Sequence, residues 1–287
     1  MSTPAWIGSY RIERLLGTGS FATVWLGHDA VLDSRVAIKV LAENWSHDLR
    51  VRERFLDEAR LLRRLDHPRL VRVHGVGELP DGRPYAVLAW ADGGSLRDRL
   101  AAAGPLPVTS ALALLDEVAA GVAVLHRNGV VHRDLTPGNI LFASGPDAER
   151  VLIADLGLAK ALAAASGLTA RAGTPGYMAP EQDDPLAVVD ARADVFGLGR
   201  LAVRLLADHG KAVTRPGSGG GDGPGPAIRP GGDEAARPGP ATRLRDGVPA
   251  AVSAVLRRAT APRPGDRYPD ATAFGAALRH AAASSPP

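Results

Sequence analysis

Apolar and β-branched residues alternate or cluster in three short runs near the start of the chain, 10–16, 23–29 and 35–41, each bounded by turn signals. This pattern predicts a meander of three strands. From Leu49 to Leu65 the period changes. Phe55, Leu61, Leu62 and Leu65 stand among charges at helical spacing, and His67-Pro68 closes the run. Segments 70–77 and 83–90 predict two further strands, and Asp92-Gly93-Gly94-Ser95 predicts a turn. Beyond it, Ala/Leu-rich stretches such as Val108 to Arg127 read as long helices, and helical character returns at 249–261 and 270–282. The order along the chain is strands with one helix, then helices. Segment 215–240 interrupts this order with dense glycine and proline and almost no large apolar residues, a composition that cannot offset its ordering entropy, so a flexible insert is expected there.

The 287 residues are 45% apolar, enough for one large domain or two. There is no cysteine, which excludes disulfides, thiolate metal ligands and cysteine nucleophiles. A formal charge of +3 is small for this length and does not indicate a nucleic-acid surface. The first eight residues lack the charged and apolar regions of a signal peptide, and no uninterrupted apolar run approaches the ~18 residues of a membrane span. A soluble cytoplasmic protein without a membrane span is therefore expected.

Only three of the 34 basic residues are lysines: Lys39, Lys160 and Lys211. Lys39 closes the β-branched run Val36-Ala37-Ile38, where a compact ammonium does different chemistry from the guanidinium used nearly everywhere else. Upstream, Gly17 and Gly19 lie in a turn between two strand-like runs, where missing Cβ atoms let backbone N–H groups approach phosphate oxygens. Downstream follow His132-Arg133-Asp134-Leu135-Thr136-Pro137-Gly138-Asn139, then Asp155-Leu156-Gly157, then Ala179-Pro180-Glu181. With Gly17-Thr18-Gly19-Ser20-Phe21-Ala22-Thr23-Val24, these segments follow in order the signature set of protein kinases. The chain resembles the eukaryotic-like, bacterial-type Ser/Thr protein kinases from about residue 10 to residue 279.

That resemblance implies an α+β fold of two lobes. Residues 1–91 would form a small antiparallel sheet lobe with one helix, and residues 92–287 a larger, mainly helical lobe. It implies ATP and Mg²⁺ as cofactors and a protein bearing Ser or Thr as substrate. Lys39 would contact the α- and β-phosphates and pair with Glu58. Asp134 would orient the substrate hydroxyl and accept its proton, and Asn139 and Asp155 would hold Mg²⁺. Leu16, Val24, Ala37 and Leu141 would wall the adenine, with Leu88 as gatekeeper and the backbone of Ala89 and Ala91 as its hydrogen-bonding edge. Asp194 would anchor the backbone of the catalytic segment, and Arg267 would pair with Glu181. Thr169, with Ser166 second, would be an autophosphorylation site in the loop 155–181, its phosphate meeting Arg133, Arg54 and Lys160. Transient self-association is one route to that modification.

Three positions depart from the family pattern. Ala22 replaces a glycine and Leu156 a phenylalanine. Thr136 stands where Ser/Thr kinases generally have a lysine at the transferring phosphate, which removes one source of charge stabilisation. Two other readings are a nucleotide-binding pseudokinase scaffold, which Thr136 and Ala22 would favour, and a small-molecule phosphotransferase. Gly173-Thr174, Ala179-Pro180-Glu181 and Arg267 favour a protein substrate over the latter.

Overall fold

The computed structural model describes residues 4–157, 174, 176–184, 186–208 and 243–284. Segment 215–240 lies outside them. A six-stranded antiparallel sheet is built from β1 (Trp6–Ile7), β2 (Tyr10–Thr18), β3 (Ala22–Asp29), β4 (Ser34–Leu41), β5 (Val73–Glu78) and β6 (Pro84–Ala89). Its order is β1-β2-β3-β4-β6-β5. The meander pairs Gly17 with Val24 and Val24 with Lys39, and Lys39 with Ala86 on β6. The Gly-rich turn, the lysine and the apolar walls thus share one patch of the sheet. Register shifts in β2 between Ile12 and Arg14 and between Leu15 and Gly17 twist the strand as it enters that turn.

Helix α1 (Leu49–Leu65) starts at Asp48, whose carboxylate accepts from the N–H groups of Arg50 and Val51. Val51, Phe55, Glu58, Ala59 and Leu62 recur at intervals of three and four residues, so they share one face, and that face is buried. Glu58 points inward for this reason. The strand expected over 70–77 begins only at Val73, because Leu70 instead bridges Ile153 of the helical lobe.

The larger part contains α2 (Leu96–Ala103), α3 (Val108–Arg127), α4 (Ala191–Leu206), α5 (Ala250–Ala259) and α6 (Ala271–Ala283). Helix α3 is long and apolar enough to cross a membrane, yet more than half of it is buried in the protein core. One hydrophobic cluster runs from Phe21 and Leu41 through α1 and α3 to Phe274 and Leu278, while Trp25, Ile38 and Val87 form a second cluster on the small sheet. A two-stranded hairpin, β7 (Ile140–Ala143) and β8 (Arg150–Ile153), lies against α3. Its register pairs Ile140 with Ile153. Asn139 just before β7 and Asp155 just after β8 therefore emerge at the same end.

Candidate active site

The cleft between sheet and helices has two adjoining halves. The first, about 350 Å³, is walled by Leu16, Val24, Ala37, Leu88 and Leu141, with the Ala89–Ala91 backbone along one edge. Ala89 commits its N–H to the Arg72 carbonyl, and Ala91 accepts at its carbonyl from the Gly94 N–H. Among the described residues the buried Ala91 N–H has no acceptor, so this edge offers a donor to a planar heterocycle. The second half, about 360 Å³, lies under the 17–22 turn and is bounded by Lys39, Glu58, Asn139, Asp155 and Thr174. A Cβ on Gly17 would meet nothing within 4 Å, so the chain's own packing does not require glycine there, and the opening admits a close backbone approach by a ligand. The turn is tethered from behind, because Phe21 stacks on Trp45 and the Trp45 indole donates to the Ser20 carbonyl.

Lys39 Nζ lies 2.7 Å from Glu58 Oε1 and 2.8 Å from Asp155 Oδ1. Burial disfavours its ammonium, but the two carboxylates outweigh that cost and hold its pKa above the ordinary lysine value. Glu58 shows a raised pKa, first from burial and then from opposition between Lys39 and the nearby Asp155 charge. The directions are compatible, since one ammonium gains two partners while each carboxylate has only a share of one cation. Lys39 stays protonated, and Glu58 is the strained member of the trio.

Asp134 is 5% exposed and is fixed from several directions. The Asn139 amide donates to its carbonyl at 2.7 Å and to its Oδ2 at 3.0 Å, and the Thr174 hydroxyl lies 3.3 Å from Oδ1. Its own N–H donates to His132 Nδ1 at 3.3 Å, which leaves the hydrogen of that ring on Nε2, donating to the Ala154 carbonyl at 3.0 Å. Arg133 and Asp155 both adopt left-handed backbone, with φ of 70° and 60°, an unfavourable state for such residues that surrounding structure must enforce. Gly157, also left-handed, passes so close that a Cβ would stand 3.1 Å from that of Asp134.

The enforcing groups are visible. Asp194, 1% exposed on the first turn of α4, accepts from the N–H groups of His132 and Arg133 at 2.7 Å each. It also accepts from His126 Nε2 at 2.9 Å, while His126 Nδ1 accepts from the Ala271 N–H. Gln182 donates to the Arg133 carbonyl at 2.9 Å and accepts from the Ala179 N–H at 3.0 Å. The peptide leading into Asp134 is thus held at its oxygen by Gln182 and at its nitrogen by His132. Arg267 pairs bidentately with Glu181 at 2.6 and 2.8 Å and donates to the carbonyls of Ala261, Arg192 and Pro262, so its buried charge is fully solvated by protein.

A cleft with a part-buried, doubly paired lysine, a fixed carboxylate base and a Gly-rich roof is the arrangement of a phosphoryl-transfer site. The protein kinase domain family matches residues 10–214. The chain belongs to that family. It is 37% identical over 281 residues to the serine/threonine-protein kinase PknL of Mycobacterium tuberculosis, covering 94% of this chain and 64% of that protein. It is also 37% identical over 290 residues to PknJ of the same organism, covering 99% of this chain and 46% of PknJ. The chain therefore spans less than two thirds of PknL and less than half of PknJ. The crystal structure of the M. tuberculosis PknI kinase domain superposes with a TM-score of 0.70 at 28% identity, covering 98% of this chain and all of the other. Relatives and fold together are those of bacterial-type Ser/Thr protein kinases with the bilobal architecture.

Within this member of the protein kinase domain family, the structure brings Lys39, Glu58, Asp134, Asn139 and Asp155 to one cleft and buries Leu156 completely in the core in place of the usual phenylalanine. Lys160, Ser166 and Thr169 lie outside the described residues. Arg54 is exposed on α1, and the Arg133 side chain is half-buried beside the base. Gln182 and His126 escaped the sequence reading. Gln182 directly follows Glu181, but no local pattern marks a residue whose partner is 49 positions away. Asn139 and Asp155 carry the hard oxygen donors that Mg²⁺ takes. Among the described residues no group of three His, Asp or Glu stands together as a metal site, so an ion here would complete its shell from phosphate oxygens and water.

Proposed function

We propose that this chain is an ATP- and Mg²⁺-dependent protein kinase that transfers the γ-phosphoryl group to Ser or Thr hydroxyls of protein substrates. The observation that carries this reading is the joint fixing of the two charge centres: Lys39 between Glu58 and Asp155, and Asp134 between Asn139 and Thr174. When bound, Mg²⁺ supplies charge neutralisation of the phosphates, through Asn139 and Asp155 on the protein side. The Ala89–Ala91 edge and its apolar walls orient the adenine. Asp134 holds the acceptor hydroxyl and takes its proton as the oxygen–phosphorus bond forms and the bond to the β,γ-bridging oxygen breaks, leaving ADP with that electron pair. Lys39, Glu58, Asp134, Asn139 and Asp155 are all present and positioned, which argues against the scaffold reading although Thr136 replaces the usual lysine.

Activation-loop autophosphorylation at Thr169, with Ser166 second, belongs to the same proposal. Its support is Arg133, adjacent to the base, whose guanidinium has no partner among the described residues. A phosphate adds ~−1.5 to −2 charge and pairs well with such a group. Incubation with labelled ATP and Mg²⁺ beside an Asp134→Asn variant, with mass mapping of phosphosites, tests the reading. Transfer by the parent alone is expected. Undiminished transfer by Asp134→Asn, or none by the parent, would overturn it.

A further inference from the structure

Among the described residues, only two cationic side chains line the half of the cleft under the 17–22 turn, Lys39 and Arg97. Lys39 is claimed by Glu58 and Asp155, so the three together carry a net negative charge. The segment 134–139 contributes the Asp134 carboxylate and no cation, and its Thr136 is a neutral side chain, 2% exposed. Arg97 lines the adenine half as well, so it stands where a nucleotide passes from its sugar to its phosphates.

The placement of Arg97 is built rather than incidental. A reciprocal capping box between Ser95 and Asp98 pins the start of α2, and Leu96, fully buried, seats the first turn in the core. Arg97, between them, is directed over the floor of the cleft at Gly138. There its guanidinium carbon lies 2.8 Å, and Nη1 3.2 Å, from where a Cβ on residue 138 would stand. Any residue other than glycine at 138 would have to push the guanidinium aside. Gly138 directly precedes Asn139, so the space it vacates adjoins the phosphate-binding wall.

We propose that Arg97 is a phosphate-binding residue of this site: it reaches over Gly138 to contact the phosphate chain of the bound nucleotide, supplying from α2 the cation that the catalytic segment lacks. The proposal rests on the nucleotide-dependent kinase reading. A planar guanidinium suits phosphate oxygens because it donates two parallel hydrogen bonds.

The test measures the affinities of adenosine, ADP and ATP with Mg²⁺ by calorimetry for the parent, Arg97→Ala, Arg97→Lys and Gly138→Ala. Arg97→Ala should weaken ADP and ATP by about 10- to 100-fold, the worth of a charge-assisted hydrogen bond, and leave adenosine within about twofold. Arg97→Lys should recover part of the loss, and Gly138→Ala should mimic Arg97→Ala by displacing the guanidinium. Adding Thr136→Lys to Arg97→Ala should restore more phosphate affinity than Thr136→Lys adds to the parent. Unchanged ADP and ATP affinities would overturn the proposal, as would an equal loss for adenosine. So would a defect confined to the KM of acidic peptides, which would make Arg97 a peptide-recognition residue. A parent that binds ATP in this Arg97-dependent way yet incorporates no phosphate would remove the kinase reading and leave the phosphate contact standing.

Discussion

Replacing Lys39 with methionine keeps nearly the same side-chain volume and removes one charge from the centre of the site. Glu58 Oε1 and Asp155 Oδ1 lie 2.7 and 2.8 Å from the same nitrogen, so they are at most about 5.5 Å apart. Without the ammonium the two carboxylates repel by about 3 kcal/mol at an effective dielectric of about 20. Asp155, 30% exposed, can relax toward water, but Glu58, 7% exposed on the packed face of α1, cannot. A net loss of about 1–3 kcal/mol is expected near neutral pH, equivalent to a Tm drop of about 2–10 °C for a chain of this size. The pH dependence has a definite sign. Glu58 already has a raised pKa in the fold, and removing Lys39 raises it further, so the folded variant gains relative stability when a carboxylate is protonated. The Tm gap between parent and variant should therefore narrow as pH falls from about 7.5 to about 5. The parent lysine contributes no slope there, because its raised pKa keeps it charged until strongly alkaline pH. Turnover should fall about 10²–10³-fold, the loss typical of one preorganised charge-stabilising group. Thermal melts across pH and labelled phosphate transfer measure both effects. Parental turnover, or a Tm gap that widens on acidification, would refute the reasoning.

Arg267→Met should cost about 3–5 kcal/mol by leaving Glu181 charged and buried without its partner, and an unshifted urea midpoint would contradict this. Gln182→Glu removes the donor to the Arg133 carbonyl while keeping the side chain's length, and should lower kcat about tenfold with ATP affinity unchanged; a change in ATP affinity alone would place Gln182 elsewhere in the mechanism. Thr174→Val deletes the hydroxyl beside Asp134 Oδ1 and should reduce kcat with little effect on Tm, so a large stability loss with normal turnover would mean that Thr174 serves packing instead. Glu58→Gln should be milder than Lys39→Met in both assays, since it leaves Lys39 paired with Asp155.

Much of this protein is determined by the sequence alone, and where it is, the cause is local. Helix α1 spans Leu49–Leu65 as its apolar spacing and the His67-Pro68 stop require, and that same spacing turns Glu58 inward. The strand runs around the Gly-rich turn and Lys39 carry their period in the chain, and Asp134, Asn139 and Asp155 are recognisable because the chemistry fixes their order and separation within short segments. The rest depends on which distant groups packing brings together. Strands β7 and β8 have four residues each, too short for a periodic signal, yet their pairing is what places Asn139 beside Asp155. Gln182, His126 and Arg97 each sit in unremarkable helical or turn sequence, and their roles exist only through partners 40 or more residues away, at Arg133, Asp194 and Gly138. Periodicity and turn chemistry act between neighbours in sequence. The orientation of the peptide before Asp134 and the position of a cation over Gly138 are set by contacts across the core, which only the tertiary structure decides.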